Sequence, residues 1–259
     1  MLKAMKRLNK YQKKMQRSWD RKARENAYMW VDSSKDKWDK GEYYDKGLGE
    51  VFGHAISFLK KKNFNDQDLK NMRALDLGCG TGRLTIGLAK YFSSVDGVDI
   101  SPEMIKVAER DNKEINNVRF FLNNGCDLRR FPDNHYNFVF SFLVFQHIPR
   151  RSIVINYLEE MHRILIPGGY IKIQVRGYPG NIPTGLSDWR YQGFDSFYIA
   201  LSKKWKLPLL RAFRYNTVFG SFFKRKQLEK ILKRIGYINV ESFYKPDDKR
   251  YLWASAKKP

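Results

Sequence analysis

The sequence predicts an α/β domain built on a mostly parallel seven-stranded sheet whose last strand is antiparallel, and three observations lead there. Short apolar runs alternate with amphipathic stretches of helical spacing from residue 73 to residue 176. A glycine-rich turn, Gly78-Cys79-Gly80-Thr81-Gly82, joins the first run to the first of these helices. Two further apolar runs, Tyr237 to Tyr244 and Tyr251 to Ala256, close the chain as a strand, a turn and a reversed strand.

Taken in order, residues 1 to about 28 read as one helix. Leu2, Met5, Leu8, Tyr11, Met15 and Trp19 recur every three or four positions, with lysine and arginine around the remainder. Val51 to Leu59 has helical spacing, and its His54 reads as a packing or surface residue. Strand one is Arg73 to Leu77. A helix follows on Leu84, Ile86, Leu88, Ala89 and Tyr91, then strand two from Val95 to Ile100 with Asp99 at its end. In open α/β sheets ligands bind at the carboxyl ends of strands, so an acid there points into a site. Ser101-Pro102-Glu103 is a helix start, and that helix runs to about Asn112. Strand three is Val118 to Leu122, strand four Tyr136 to Phe142. A helix from Arg151 to Leu165 stops at Pro167-Gly168-Gly169, ahead of strand five, Tyr170 to Val175. An aromatic and basic insertion occupies about 177–220, and the last helix is Lys224 to Ile235. Glu159, Glu160 and His162 read as solvated positions.

The chain has 259 residues, enough for one domain with a substantial core. Its two cysteines, Cys79 and Cys126, have neither disulfide nor metal-ligand spacing, which suits a reduced, cytoplasmic setting without a metal. No run of 18 apolar residues is present, so no spanning helix is expected. The net charge of +22 favours anionic partners and is segregated. One basic cluster lies between Lys3 and Arg24, a second between Lys203 and Arg234. The first suits either packing over the sheet domain or contact with a membrane surface or RNA.

The run Leu75-Asp76-Leu77-Gly78-Cys79-Gly80-Thr81-Gly82 has the spacing GxGxG with an acid two residues ahead, unlike the dinucleotide fingerprint. It resembles the first motif of the class I S-adenosylmethionine-dependent methyltransferases, a Rossmann-like family. The Leu165-x-Pro167-Gly168-Gly169 turn fits the same family. Trp19-Asp20-x-x-Ala23-x-Glu25-x-Ala27, the Glu42-Tyr43-Tyr44 segment and the Arg250 to Ala254 ending resemble a large bacterial group of small-molecule enzymes within it.

The resemblance implies S-adenosylmethionine as cofactor, held by Asp76, Gly78, Cys79, Gly80 and Gly82 of the turn, by Asp99 and Ile100 after strand two, and by Ser141 and Phe142 after strand four. Asp99 would accept both ribose hydroxyls as a bidentate, charge-assisted pair. The loop Asn123 to Leu128 would read the adenine through Asn124, Gly125 or Asp127; relatives usually carry Gly-Asp-Ala there, so the residue stays open. Tyr43 or Tyr44 would lie over the methionine end. His147 would stand beside the transferable methyl group and act as general base, or the enzyme would work by positioning alone. The implied division is a helical N-terminal cap, 1–60, and a methyltransferase domain, 61–259, with the insertion as a lid.

The expected activity is methylation of a small-molecule or glycan acceptor, anionic or aromatic, on oxygen, nitrogen or carbon. An RNA methyltransferase is the alternative, supported by charge and opposed by the lack of an NPPY-like run at Ser141-Phe142-Leu143-Val144 and of a Pro-Cys pair. A non-catalytic binding protein, or a membrane-peripheral module using the basic helix, is the third reading. No stable protein partner is implied.

Overall fold

A computed structural model of the protein describes residues 2–177, 221–246 and 248–259, with side chains in the first helix from residue 12. The insertion read as a lid lies, from residue 178, outside the described residues, as do Lys203, Lys204, Lys206, Arg211 and Arg214 of the second basic cluster.

Four helical pieces precede the sheet: α1 (Leu2–Val31), α2 (Lys40–Val51), which continues through a π-turn (Phe52–Ile56) into α3 (Ser57–Lys61), and α4 (Asp66–Lys70). Helix α1 outruns the expected residue 28 because it breaks and resumes. Asn26 is extended there (φ −168°, ψ 94°), and its side-chain oxygen accepts the Met29 N–H. Asp39 and Asn65 cap α2 and α4, each accepting a backbone N–H three residues on.

The sheet then alternates as read: β1 (Arg73–Leu77), α5 (Arg83–Ala89), β2 (Ser94–Asp99), α6 (Pro102–Asp111), β3 (Val118–Leu122), β4 (Tyr136–Ser141), α7 (Arg151–Ile164) and β5 (Leu165–Gly177). Then come β6 (Phe222–Phe223), α8 (Arg225–Ile235), β7 (Ile238–Lys245) and β8 (Asp248–Lys257). The strand order is β3-β2-β1-β4-β5-β8-β7. Strands β1 to β5 are mutually parallel, and β8 runs antiparallel between β5 and β7. Strand β6 is the departure from seven strands: its two residues pair with Arg176 and Gly177. Strand β5 is longer than expected, since Leu165 already pairs with Tyr136 ahead of the Pro-Gly-Gly turn.

Apolar layers cover both faces. One joins β4, β5 and β8 to α7 and α8 through Tyr157, Leu158, Met161, Leu228 and Leu232. The other joins the sheet to α5 and the π-turn through Leu88, Phe92, Phe138, Phe140 and Trp253. Burying side chains of this size stabilises the fold by about 1.5–3 kcal/mol each before entropy is counted. His54 belongs to this layer, stacked on Trp253 at 4.5 Å, and burial pushes its imidazole down to about 4. Among the described residues no helix is long and apolar enough to cross a membrane.

Candidate active site

The parallel strands end on one side of the sheet, and the glycine turn forms the floor there. Gly78 and Cys79 both donate their N–H groups to the Val98 carbonyl, at 2.7 and 3.0 Å, so the turn folds back onto β2. Gly78 and Gly80 have φ of +78° and +55°, where side-chain-bearing residues are strained. A Cβ on Gly78 would stand 2.2 Å from Val144 Cγ2, and one on Gly80 2.7 Å from Val31 Cγ2. The Gly80 N–H then reaches Asp99 Oδ2 at 3.0 Å, and the Ser101 N–H reaches Oδ1 at 2.8 Å. Asp99 is thereby fixed with both oxygens facing its own turn, each keeping a further acceptor position. Burial pushes its carboxyl up to about 6, against these hydrogen bonds.

Asp76, Cys79, Ser141, Phe142 and Tyr43 support this floor from behind. Asp76 is fully buried and accepts the Thr85 hydroxyl at 2.7 Å, which clamps α5 to β1. Burial, aided by the charge of Asp99, pushes Asp76 up to about 7. The Ser141 hydroxyl donates to the Leu77 carbonyl, and Phe142 turns toward β8 to stack on Trp253 at 5.1 Å. Tyr43 is also fully buried; its hydroxyl bonds that of Thr81 at 2.7 Å, while Tyr44 reaches the Thr81 carbonyl at 3.5 Å. These side chains hold the turn.

Beyond β3, the loop expected to read a base is closed on itself. Asn124 accepts the N–H groups of Cys126 and Asp127 through its side-chain oxygen and donates its amide to Asp127 Oδ1 at 2.7 Å. Its oxygen is thus already doubly engaged, and Asp127 is the carboxylate of the loop. Asn123, which the sequence reading passed over, is the organiser: its side chain accepts from Gly125 N–H and the Tyr157 hydroxyl and donates to the Asp127 carbonyl. A cavity of about 280 Å³ opens beside it, lined by Val98, Leu122, Asp127, Arg130 and Phe131 among others.

Helix α1 is the roof. Met15 is 5% exposed and lies in the same apolar layer as Val98 and Phe145; a Cβ on Gly125 would meet Ile100 Cδ1 at 2.3 Å and Met15 Cε at 3.6 Å. Gln16 donates to the Ile100 carbonyl at 3.1 Å. Asp20 accepts the Ser101 hydroxyl at 2.6 Å, the same hydroxyl that caps α6 by accepting the Met104 N–H. Beside Asp20 in the chain, the Trp19 ring meets His147 edge-on at 5.2 Å. His147 ends a single 3₁₀ turn (Phe145–His147) after β4, and its Nε2 lies 3.2 Å from the Gln146 amide nitrogen. The site therefore brings together Gly78, Gly80, Asp99, Ile100, Gly125 and His147 under Met15, Gln16, Trp19 and Asp20. Of these four, Met15 and Trp19 belong to the helical stripe and Asp20 to the Trp19-Asp20 motif, while Gln16 carries no sequence signal.

A family model described as a methyltransferase domain matches residues 75–173. A demethylmenaquinone methyltransferase of Staphylococcus carnosus is 34% identical over 209 residues, covering 76% of this chain and 81% of that one. Among solved structures, an N-methyltransferase of Haemonchus contortus in complex with phosphomonomethylethanolamine and S-adenosylhomocysteine is similar at TM-score 0.56 and 19% identity, over 84% of this chain and 59% of that one. The [4+2]-cyclase SpnF is similar at TM-score 0.55 and 15% identity, over 83% and 80%. That a cyclase shares the architecture shows that the fold alone does not select the reaction.

Proposed function

Because the chain belongs to the class I S-adenosylmethionine-dependent methyltransferases, we propose that it methylates a small aromatic acceptor of the quinol or phenol class, under the roof of α1. The observation that carries this reading is the edge-to-face pair of Trp19 and His147 where β4 leaves the sheet. A flat acceptor ring can pack against the open face of this pair, and the relative from Staphylococcus carnosus is named for a quinone-type acceptor.

When bound, S-adenosylmethionine supplies an electrophilic methyl group on a sulfonium. The residues of this chain fit it. Asp99 keeps one acceptor position on each oxygen for a vicinal diol, because Gly80 and Ser101 take only one each. The positive-φ turn at Gly78 and Gly80 exposes main chain without a Cβ. Ile100 and Gly125 bound the end assigned to the base, with Asp127 as its hydrogen-bond acceptor. Asp76, Ser141, Phe142, Cys79 and Tyr43 hold these groups in register. His147 takes the proton from the acceptor hydroxyl on its unprotonated ring nitrogen, a role worth typically about 10²- to 10⁴-fold. Residues 1–60 serve as the cap of the site. Its side chains exclude water where charge shifts during transfer.

The deciding experiment supplies methyl-labelled cofactor with a reduced naphthoquinone, a simple phenol, phosphoethanolamine or total RNA, and follows the label by mass spectrometry. Labelling of the ring acceptors is expected. Labelling of RNA alone would replace this reading by the nucleic-acid one, for which the basic charge is the supporting observation.

A further inference from the structure

Met15, Trp19 and Lys22 are spaced by four and by three, so they share one face of α1 and span about 10 Å along it. That face runs over the site from end to end. Met15 meets Ile100 and Gly125 after β2 and β3, and Trp19 meets His147 after β4. Lys22, one turn on, is only 3% exposed, although lysine is almost never buried so deeply. Its ammonium lies 4.1 Å from the centre of the Trp19 ring and 4.8 Å from that of Trp30. Val31, next to Trp30, rests on Gly80 of the glycine turn. Two indoles thus enclose a cation between His147 and the turn. Indole faces attract cations through their quadrupole, and the attraction strengthens as water is excluded. Burial also pushes the Lys22 amine down to about 8, with Arg21 acting in the same direction and Glu25 against it.

S-adenosylmethionine carries a sulfonium and an α-ammonium against a single carboxylate, a net positive charge, and Val31, beside Trp30, is the α1 residue that rests on the turn. We propose that the Trp19–Trp30 slot is a cation subsite for the cofactor, which Lys22 fills as an internal stand-in until the cofactor arrives. The inference rests on the assignment of the cofactor given above. It explains why a buried lysine is placed over a floor meant for a cationic ligand: two like charges cannot share the slot, so binding expels the Lys22 side chain and lifts that turn of α1. Lys22 is then a competitor, and its removal should help.

The test is calorimetric titration of the full chain with S-adenosylmethionine and with S-adenosylhomocysteine, for wild type, Lys22→Met, Lys22→Arg and Trp30→Leu. Lys22→Met, which keeps the shape and removes the charge, should bind S-adenosylmethionine about threefold to tenfold more tightly, the range of one cation–π contact. Lys22→Arg should gain nothing, and Trp30→Leu should bind about threefold to tenfold more weakly. A gain confined to S-adenosylmethionine identifies the sulfonium as the occupant; an equal gain for both ligands identifies the α-ammonium. Unchanged or weaker binding by Lys22→Met overturns the proposal. Should that variant fail to fold, wild-type affinity in Trp30→Leu overturns it instead. Absence of any binding by wild type would be a different result, overturning the cofactor assignment itself.

Discussion

The floor and the roof of the site are built by different means. The floor is main chain: Gly78, Cys79 and Gly80 donate backbone N–H groups to the Val98 carbonyl and the Asp99 carboxylate, within two paired strands. The roof is side chain: Gln16, Asp20 and Met15 reach across more than 80 residues of sequence to Ile100, Ser101 and Gly125. Moving the floor would unzip β1 from β2. Lifting the Met15–Asp20 stretch of the roof breaks a few hydrogen bonds worth about 0.5–1.5 kcal/mol each and uncovers Met15 and Trp19, while Ala23 and Ala27 stay packed on Met104. Rigid recognition and access are thus assigned to separate parts of the chain.

Substitutions can break this contrast in order of expected size. His147, where floor and roof meet, should give the largest effect on turnover. His147→Gln is expected to lower kcat by about 10² to 10⁴ with the cofactor Kd unmoved. A fall of less than tenfold in single-turnover assays would leave positioning alone as the source of rate. Asp99→Ala removes two charge-assisted acceptors from the floor and should weaken the cofactor about 100-fold or more by calorimetry. Gly78→Ala forces a Cβ into Val144 at a left-handed φ; urea unfolding should show a loss of about 2–4 kcal/mol.

Acid should separate ligand binding from stability. Asp99 must be ionised to accept two hydroxyls, so cofactor affinity falls as pH drops through about 6, by up to about tenfold per unit. Stability moves the other way. Burial raises Asp99 and Asp76, to about 6 and about 7, above their unfolded values, so the folded state binds protons more tightly. Acidifying from pH 8 toward 5 therefore adds stability from these two groups, and raising the pH through 6 to 7 removes it. Asp99→Asn should flatten the affinity profile and reduce the slope of Tm with pH. A cofactor affinity that rises in acid would contradict the floor as described. Gln16→Ala is the smallest change: loss of one neutral hydrogen bond, under about 1.5 kcal/mol in unfolding experiments, with the floor intact.

The same contrast explains what could be read in advance. Strand one, the glycine turn, Asp99 and the Ser101 cap are contiguous patterns whose backbone demands appear as residue types, and they stand where periodicity put them. The two-residue β6 carries no such pattern; it exists because β5 runs on to Gly177 and leaves an edge to be paired. Asn123 and Asn124 look interchangeable in sequence, yet one binds Tyr157 and the other closes the turn on Asp127, a division set by what lies opposite. The roof was visible only as an amphipathic stripe and the Trp19-Asp20 motif. Which residues of α1 would meet Ile100, Ser101 and His147 depends on the crossing of α1 over α6, fixed by the packing of Ala23 and Ala27 on Met104.

Arg83 carries a consequence for how this chain can be divided. Its side chain is 2% exposed and is neutralised by Glu50 of α2 and, at 3.4 Å, by Asp32 between α1 and α2; its guanidinium also lies 5.5 Å from the centre of the Tyr43 ring. All three partners belong to the first 60 residues, while Arg83 opens the helix that follows the glycine turn. A chain cut near residue 60 would strip Arg83 of both counter-charges and leave its guanidinium, and the helix start that carries it, open to water. The sheet domain therefore does not end where its strands begin: the segment ahead of it is a structural subunit of the turn, and a fusion or truncation that respects only the strand pattern would remove part of the nucleotide cradle with it.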